Sequence, residues 1–469
     1  MKMRSVLAAL LALVMLLGVV GVAAADEKTT VSFWETFTDA QHEYLVKAAA
    51  DFNASQDKYT VEIQQQPTKG FTSNVYTAVV NGVGPDIIFN YASEASKYVS
   101  AGLVANLDEY IYDEEIGIEN FDEQLPEYLF SEINGFEDGH IHYLPGATTG
   151  PILYYNKTLF EELNLTVPST WEDLVDVCKA IKAAKGDDVL PFGIDSPIDL
   201  AQTLFLEAGY TYIDTENKCV GFAEGEKVAA WLGEQLTAGL FSKDAPSGGY
   251  FSDDFNTGKV AMYYGSCAGV PYIKPNGFEY AVAPAPSSTS EYKSYTIWNR
   301  GPIVFKYEGQ DARAEGAYEF VKYLLATPEI SEGWAEAMIA MTPWVAAQQV
   351  EGYEAFVASQ PALAAVQART DIAVSLPSVT GASECRDALK NLVVALQGGT
   401  ERAGRLRGRV QRRAAGQVIR PLAENRNRSG SPFFCLTDGQ GTAPADAVPY
   451  PCAISLQTEG EVRTHASKT

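Results

Sequence analysis

The stretch that most constrains the fold of this chain is residues 76–90, YTAVVNGVGPDIIFN. A helical segment ends at the glycine- and proline-rich residues 81–85, and the apolar run Ile87-Ile88-Phe89 follows almost at once. Glycine and proline at such a position stop a helix. A short apolar run directly after the stop is typical of a strand buried on both faces of a parallel sheet. This stretch therefore predicts a helix-to-strand unit of an α/β fold.

The same alternation recurs on both sides of this stretch. Apolar patterns predict strands at 30–37, 59–65, 152–155 and 191–194 and helices at 40–52, 198–206 and 317–325. Residues 169–172, STWE, carry a capping-box pattern before a further helix, and Cys178 lies on the apolar face of that helix. We expect two α/β lobes, each with a mostly parallel sheet and helices on both faces. A ligand site is then expected at the junction, outside the carboxyl ends of the strands.

The N-terminus has the pattern of a secretory signal peptide. Lys2 and Arg4 precede an apolar run over residues 6–22, and Ala23-Ala24-Ala25 offers small residues for cleavage before Asp26. We predict that residues 1–25 are removed and that the protein is exported, to the periplasm or outside the cell. An uncleaved membrane anchor is the alternative, because this apolar run is close to the shortest span of a bilayer. No cysteine follows the run directly, so there is no acceptor for a lipid anchor.

The composition argues against nucleic-acid binding and shows no catalytic motif. The 469 residues carry a formal net charge of −25, whereas phosphate backbones are bound by clustered Lys and Arg. The sequence contains no HExxH, GxSxG, phosphate-loop or dinucleotide-binding motif, and His140 and His142 alone are weak evidence for a metal. We predict no metal and no cofactor. With 60 Asp and Glu no carboxylate pair stands out, so an exported carbohydrate-active hydrolase remains the alternative function.

Aromatic and polar residues at the predicted strand ends are the candidates for a ligand site. Sugars present both hydroxyl groups and apolar C–H faces, so a sugar site needs aromatic platforms beside Asp, Asn, Arg and backbone donors. For each aromatic residue, packing in the core is the alternative role. The candidates by position are Trp34, Phe89, Asn90, Tyr91, Asp195, Trp298, Asn299 and Arg300.

Seven segments in order resemble the carbohydrate-type extracellular solute-binding proteins of ATP-binding-cassette (ABC) importers, a family that includes maltose- and glycerol-3-phosphate-binding receptors. The resemblance covers residues 29–398. The matching segments are 76–90, 101–108 (AGLVANLD), 142–165 (HYLPGATTGPILYYNKTLFEELNL), 168–174 (PSTWEDL), 255–262 (FNTGKVAM), 317–325 and 342–343.

The resemblance implies a two-lobe periplasmic-binding-protein fold, type II-like, with discontinuous lobes joined by a hinge. One lobe is expected to hold residues 26–144 plus 293–341, and the other 145–292 plus 342–398. The lobes are expected to close on the ligand, and the closed monomer is expected to dock on membrane permease subunits.

The resemblance also implies which residues contact the ligand. The ligand would be a small sugar, a polyol or a glycerol phosphodiester, and Arg300 is the most plausible partner of a phosphate. Many sugar-binding members have an aromatic platform after the position of Met262, whereas this chain has small residues at 265–268, GSCA. The implied ligand-binding residues are Trp34, Asn90, Tyr91, Asp195, Trp298, Arg300, Gly301 and Trp344.

The tail at residues 399–469 departs from the family. Arginine supplies ten of its eleven basic residues, and residues 401–413, ERAGRLRGRVQRR, lack an apolar stripe. We interpret the tail as disordered or as the product of a shifted reading frame or a sequence error near residue 399. The alternative is a genuine basic extension that binds an anionic surface.

Overall fold

The computed structural model describes residues 28–210, 213–214, 219–220, 226–289, 292–376, 378–379 and 382–397. The predicted signal peptide and the basic tail lie outside the described residues. The described α-helices are α1 Asp39–Ser55, α2 Phe71–Val80, α3 Ala92–Ser100, α4 Asp108–Ile111, α5 Glu127–Ile133, α6 Lys157–Glu162, α7 Trp171–Lys185, α8 Pro197–Glu207, α9 Glu226–Thr237, α10 Phe251–Asn256, α11 Asp311–Ala326, α12 Pro328–Met338, α13 Tyr353–Ser359, α14 Pro361–Gln367 and α15 Ala382–Gln397.

The strands alternate with these helices along the chain. They are β1 Thr29–Glu35, β2 Tyr59–Gln65, β3 Ile87–Tyr91, β4 Ala147–Thr149, β5 Pro151–Asn156, β6 Leu190–Ile194, β7 Ile213–Asp214, β8 Cys219–Val220, β9 Phe241–Ser242, β10 Val260–Ser266, β11 Tyr280–Pro284, β12 Tyr295–Thr296, β13 Trp298–Val304 and β14 Ala373–Val374. Short 3₁₀ turns occur at Phe121–Glu123, Cys267–Tyr272, Ala347–Gln349 and Thr370–Ile372.

Two five-stranded sheets form the framework. The first sheet has the order β2-β1-β3-β13-β4, and the second has the order β11-β5-β10-β6-β9. In the first, β1 pairs in parallel with β2 and β3, but β13 is antiparallel to β3 and β4. In the second, β6 is parallel to β9 and β10, but β5 is antiparallel to β10 and β11. Four of the five strands in each sheet therefore run in one direction, as expected, and β13 and β5 are the single strands that run against their neighbours.

The predicted helices and strands coincide with observed ones. The apolar stripe of α11 is buried, since Ala317, Phe320, Val321, Leu324 and Leu325 are all inaccessible to solvent. The helix ends at Ala326, and Pro328 begins α12. A proline at the first position of a helix lacks only an N–H that would have no partner there.

The predicted capping box of α7 forms one residue later than the pattern suggested. Thr170 is the N-cap and accepts a hydrogen bond from the amide of Asp173, whose carboxylate in turn accepts one from the amide of Thr170. Cys178 on this helix is a buried free thiol, as expected for a small core residue. In the part of the chain that the structure describes, no helix combines the length and apolar character needed to cross a membrane.

Candidate ligand-binding site

The carboxyl ends of strands from the two sheets meet at Gly150. Thr149, the last residue of β4, pairs with Trp298, and Pro151, the first residue of β5, pairs with Ser266 at the end of β10. Because β4 runs parallel to β1 and β3, and β10 runs parallel to β6, a single residue separates the two carboxyl edges. The amide of Cys267 donates to the carbonyl of Gly150 at 3.0 Å, which fixes this crossing. The two edges therefore face each other across the crossing.

Gly150 is required at the crossing by close packing. A Cβ added there would collide with the phenol of Tyr295. The Tyr295 hydroxyl donates to the carbonyl of Pro151 at 2.7 Å, so the phenol is held against the crossing. A larger residue at 150 would have to displace this buried tyrosine.

Tyr91 and Arg300 lie side by side at the edge of the first sheet. They are register partners between β3 and β13. Nη2 of Arg300 donates to Thr36 Oγ1 at 3.1 Å and lies 3.5 Å from the carbonyl oxygen of Phe89. The guanidinium carbon lies 4.7 Å from the ring centroid of Phe37, a cation–π distance. Among the described residues Arg300 forms no ion pair with a carboxylate.

Charged groups on helices outside the first sheet act on the phenol of Tyr91. Burial raises the pKa of Tyr91, the positive charges of Arg300 and Arg386 oppose the rise, and the negative charges of Asp199 and Glu132 add to it. Asp199 lies on α8, which follows β6 of the second sheet, and Arg386 lies on α15. Tyr91 is therefore within electrostatic range of groups on α8 and α15 as well as of Arg300 on β13.

Asp199 and Arg386 form a largely buried ion pair. Arg386 Nη2 donates to Asp199 Oδ1 at 2.5 Å, and Nη1 donates to Gln202 Oε1 at 2.6 Å. The hydroxyl of Ser196 donates to the other oxygen of Asp199. This pair joins α8 to α15 and neutralises one positive and one negative charge beside Tyr91.

Asp195 lies at the edge of the second sheet, directly after β6. Its side chain is open to solvent, yet protein atoms surround it on several sides. This partial removal from water raises the pKa of the Asp195 carboxyl to about 6, while a hydrogen bond from the amide of Phe251 opposes the rise. Oδ2 lies 2.9 Å from the position that a Cβ on Gly265 would take, so the carboxylate occupies the space that this glycine leaves. Asp195 is thus a hydrogen-bond acceptor that solvent, and a solute, can reach.

Tyr250 is a neighbour of Asp195 that the sequence analysis missed. It immediately precedes Phe251, whose amide binds Asp195, and its side chain is 75% exposed. A sugar site needs an exposed aromatic ring and an accessible carboxylate, and here the chain supplies them from the residue before Phe251 and from Asp195. The only sequence signal was an aromatic residue in a glycine-containing loop, at residues 247–250 (SGGY), where binding residues are frequent.

A buried carboxyl group was also missed. Glu132 on α5 is inaccessible to solvent, and its Oε2 accepts a hydrogen bond from Asn299 Nδ2 at 2.6 Å. Burial raises the pKa of Glu132 to about 8, and the hydrogen bond from Asn299 opposes the rise. Asn299 Oδ1 accepts from the hydroxyl of Thr148 at 2.7 Å. This network ties α5, β13 and β4 together beside the crossing, and no pattern in residues 127–133 distinguished Glu132 from a solvated glutamate.

The remaining predicted ligand residues occupy different environments. Trp34 is half-buried on β1 and donates from Nε1 to Gln64 Oε1 at 2.9 Å. Asn90 is half-buried and pairs in register with Gly301. Trp298 is 7% exposed, and its Nε1 has no hydrogen-bond partner in the described residues. These residues adjoin Tyr91 and Arg300 in the first sheet, whereas Asp195 lies in the second.

Trp344 and Gly301 both take part in close packing. Trp344 is 1% exposed, donates from Nε1 to the carbonyl of Pro145 at 2.9 Å and packs near Phe121. The indole is a buried side chain in this conformation, and its role as a ligand platform stays a prediction. A Cβ on Gly301 would collide with the carbonyl oxygen of Leu144, so close approach of β13 to that segment requires glycine.

The two histidines noted in the sequence make local contacts. His140 Nδ1 lies 2.7 Å from Asp108 Oδ2, and His142 lies between the carbonyl of Ala105 and the carboxylate of Asp138. Within the described ranges, no group of three or more His, Cys, Asp or Glu side chains is arranged to hold a metal ion.

The chain is similar in sequence to known binding proteins. Residues 47–365 match the family model described as bacterial extracellular solute-binding protein. The chain is 22% identical to the maltotriose-binding protein of Pyrococcus abyssi over 64% of this chain and 63% of that protein. It is 25% identical to the sn-glycerol-3-phosphate-binding periplasmic protein UgpB of Rhizobium meliloti over 65% of this chain and 73% of that protein.

Solved structures resemble the fold. The GacH receptor of Streptomyces glaucescens aligns with a TM-score of 0.66 and 19% identity, over 82% of this chain and 98% of the receptor. The sugar-binding protein MalE of Xanthomonas citri aligns with a TM-score of 0.65 and 17% identity, over 82% of this chain and 98% of that protein. These similarities confirm the two-lobe periplasmic-binding-protein fold expected from the sequence.

Proposed function

The chain belongs to the bacterial extracellular solute-binding protein family, and from this premise we propose that it captures a small sugar or glycerol-based solute and delivers it to the permease subunits of an ABC importer. The observation that carries the proposal is the meeting of the two carboxyl edges at Gly150, with Arg300 and Tyr91 on one edge and Asp195 on the other. Clefts at such junctions are favoured sites for small ligands.

The chemistry of the two edges supports a polar solute. Asp195 is an accessible hydrogen-bond acceptor, Arg300 is a donor, and Tyr250 is an exposed aromatic residue directly before Phe251, whose amide binds Asp195. Solute hydroxyl groups can donate to the carboxylate while an apolar face of the solute packs on the ring. The names of the two relatives, which bind maltotriose and sn-glycerol 3-phosphate, agree with this chemistry.

The proposed cellular role follows from export. Residues 1–25 would direct the chain across the membrane, where it would act as a monomeric receptor. Solute would bind between the lobes, closure at the hinge would bury it, and the closed form would dock on the permease. The limits proposed for the lobes remain residues 26–144 plus 293–341 and 145–292 plus 342–398.

The alternative function, an exported carbohydrate-active hydrolase, has no support from the comparisons. A hydrolase of this kind uses two carboxyl groups that flank the glycosidic bond. Of the carboxyl groups described at the junction, Glu132 is buried against Asn299 and Asp199 is paired with Arg386, while Asp195 alone is open to solvent. We therefore propose a binding role without catalysis.

A thermal-shift screen of the full chain, purified after export, tests the proposal. The panel contains mono-, di- and oligosaccharides, polyols and glycerol phosphodiesters. A solute that binds only the folded state raises the melting temperature by mass action. We expect a rise of several degrees with one class of solute. The rise should shrink in Asp195→Asn but not in the matched control Asp187→Asn, which changes an exposed aspartate paired with Lys182.

Two results would contradict the proposal. A folded protein that responds to no member of the panel would exclude these solutes as ligands. Release of sugar from a glycoside by the purified chain, abolished by changing a carboxylate, would instead establish the hydrolase.

A further inference from the structure

We propose that the solute carries an anionic oxyacid group, a phosphate or a carboxylate, and that Arg300 binds this group. The inference rests on the proposed function, because it assigns the chemical class of the solute that enters the same site. It separates this chain from receptors whose ligands are neutral sugars only.

The hydrogen bonding of Arg300 supports this proposal. A guanidinium has five N–H donors. The contacts of Arg300 are both made by Nη2, and the acceptors are a hydroxyl, on Thr36, and a peptide carbonyl, on Phe89. Within the described residues, Nε and Nη1 have no acceptor and no carboxylate lies within ion-pair distance. A half-buried arginine normally gains a charged partner, since burying an unpaired charge is costly.

The charged groups around Tyr91 also support this proposal. The charged groups that act on its phenol are Arg300, Asp199, Arg386 and Glu132. Asp199 and Arg386 neutralise each other as an ion pair, and Glu132 is buried with a raised pKa, which favours its neutral form at pH 7. Of these four groups, Arg300 alone keeps its charge without an ion-pair partner among the described residues.

The guanidinium of Arg300 is held in a fixed orientation. The ring of Phe37 lies under the guanidinium, and the hydrogen bond to Thr36 fixes one end of the plane. With Nη2 engaged in this way, the N–H groups of Nη1 and Nε remain to donate to the oxygens of an oxyacid group. A neutral hydroxyl can accept from Arg300, but it brings no charge opposite to that of the guanidinium.

Calorimetric titration and thermal shift of the full chain test this inference. The anionic probes are sn-glycerol 3-phosphate, glycerophosphocholine and glucuronate, which separate a phosphomonoester, a phosphodiester and a carboxylate. The neutral probes are glycerol, glucose and maltose. The variants are Arg300→Gln, which removes the charge, and Arg300→Lys, which keeps the charge but removes the planar fork. Lys47→Gln, at an exposed lysine paired with Asp51 on α1, is the charge-matched control.

We expect at least one anionic probe to bind the wild-type chain and the Lys47→Gln variant equally. Its affinity should fall about 10- to 100-fold in both Arg300 variants, the range of a charge-assisted hydrogen bond. Urea unfolding of each variant shows whether the fold is intact, and Arg300→Lys provides the test if Arg300→Gln is unfolded.

Three other outcomes would overturn the inference, the role of Arg300 or the proposed function. Binding of neutral sugars with no response to any anion would overturn the inference and leave the proposed function standing. Binding of an anion with unchanged affinity in both Arg300 variants would overturn the role of Arg300. Failure of every probe, charged and neutral, in a folded protein would count against the proposed function itself.

Discussion

The carboxamide of Asn299 donates a hydrogen bond to the buried carboxyl of Glu132 across 2.6 Å. The two residues are 167 positions apart, and the bond joins α5 to the strand that carries Arg300. Oε1 of Glu132 has no hydrogen-bond partner among the described residues, so the group is incompletely compensated for its removal from water. The chemistry of this pair gives the first prediction.

Glu132→Gln should flatten the dependence of stability on pH. The pKa of Glu132 is raised from its ordinary 4.5 to about 8 in the folded state, so the folded chain holds a proton that the unfolded chain has lost. This contribution to stability is full below about pH 4.5 and is lost as the pH rises towards 8, at up to about 1.4 kcal/mol per pH unit. Glutamine keeps an oxygen for Asn299 without titrating. In urea unfolding at pH 5, 6.5 and 8, the free energies of unfolding of the wild-type chain and of Glu132→Gln should therefore converge at low pH. A constant difference between the two at all three pH values would contradict the assignment.

Gly301→Ala should destabilise the protein because the obstacle is backbone. The added Cβ would meet the carbonyl oxygen of Leu144, which no side-chain rotation can relieve. We expect a loss of about 1–3 kcal/mol in the free energy of unfolding. Gly233→Ala on α9 is the control, because its nearest contact is the flexible Leu396 Cδ2 at 3.3 Å. Equal unfolding free energies for the two variants would refute the role given to Gly301.

Solute affinity should weaken below pH 6 through Asp195. The pKa of this carboxyl is raised to about 6, so acidification removes the charged acceptor that solute hydroxyl groups would use. The effect on the free protein has the opposite sign, because a raised pKa favours the folded state at low pH. We expect a plateau above pH 7 and a decline of at most about tenfold per pH unit below 6. Titration of Asp195→Asn over the same range should give a flat profile; a matching decline in this variant would assign the effect elsewhere.

Trp344→Phe should lower stability without changing solute affinity. The substitution removes the hydrogen bond to the carbonyl of Pro145 and leaves that buried oxygen without its donor. The expected cost is about 1–3 kcal/mol in the free energy of unfolding. Calorimetry on the folded variant should give the wild-type dissociation constant. A large loss of affinity with unchanged stability would support the role as a ligand platform that the sequence suggested.

Much of the local structure could be predicted because its cause is local. The stripe from Ala317 to Leu325 has the period of one helix face, and the glycines before Ile87 end a helix whatever surrounds them. The order of segments similar to one family also predicted the two-lobe fold. Neighbouring residues in the sequence determine φ, ψ and the amphipathic pattern, so these features can be predicted without knowledge of the rest of the chain.

The site depended on contacts between residues far apart in sequence. Tyr91 and Arg300 are 209 positions apart, and the antiparallel pairing of β13 with β3 brings them together. No sequence pattern near either residue predicts this pairing. The sequence determined that this chain has strand ends rich in polar and aromatic side chains. Only the tertiary structure decided that Trp344 is buried, that Glu132 is removed from water and that Tyr250 is exposed. It also decided that Arg300 has no carboxylate partner among the described residues. Burial and charge compensation depend on every group within several ångströms, and those groups come together only when the chain is folded.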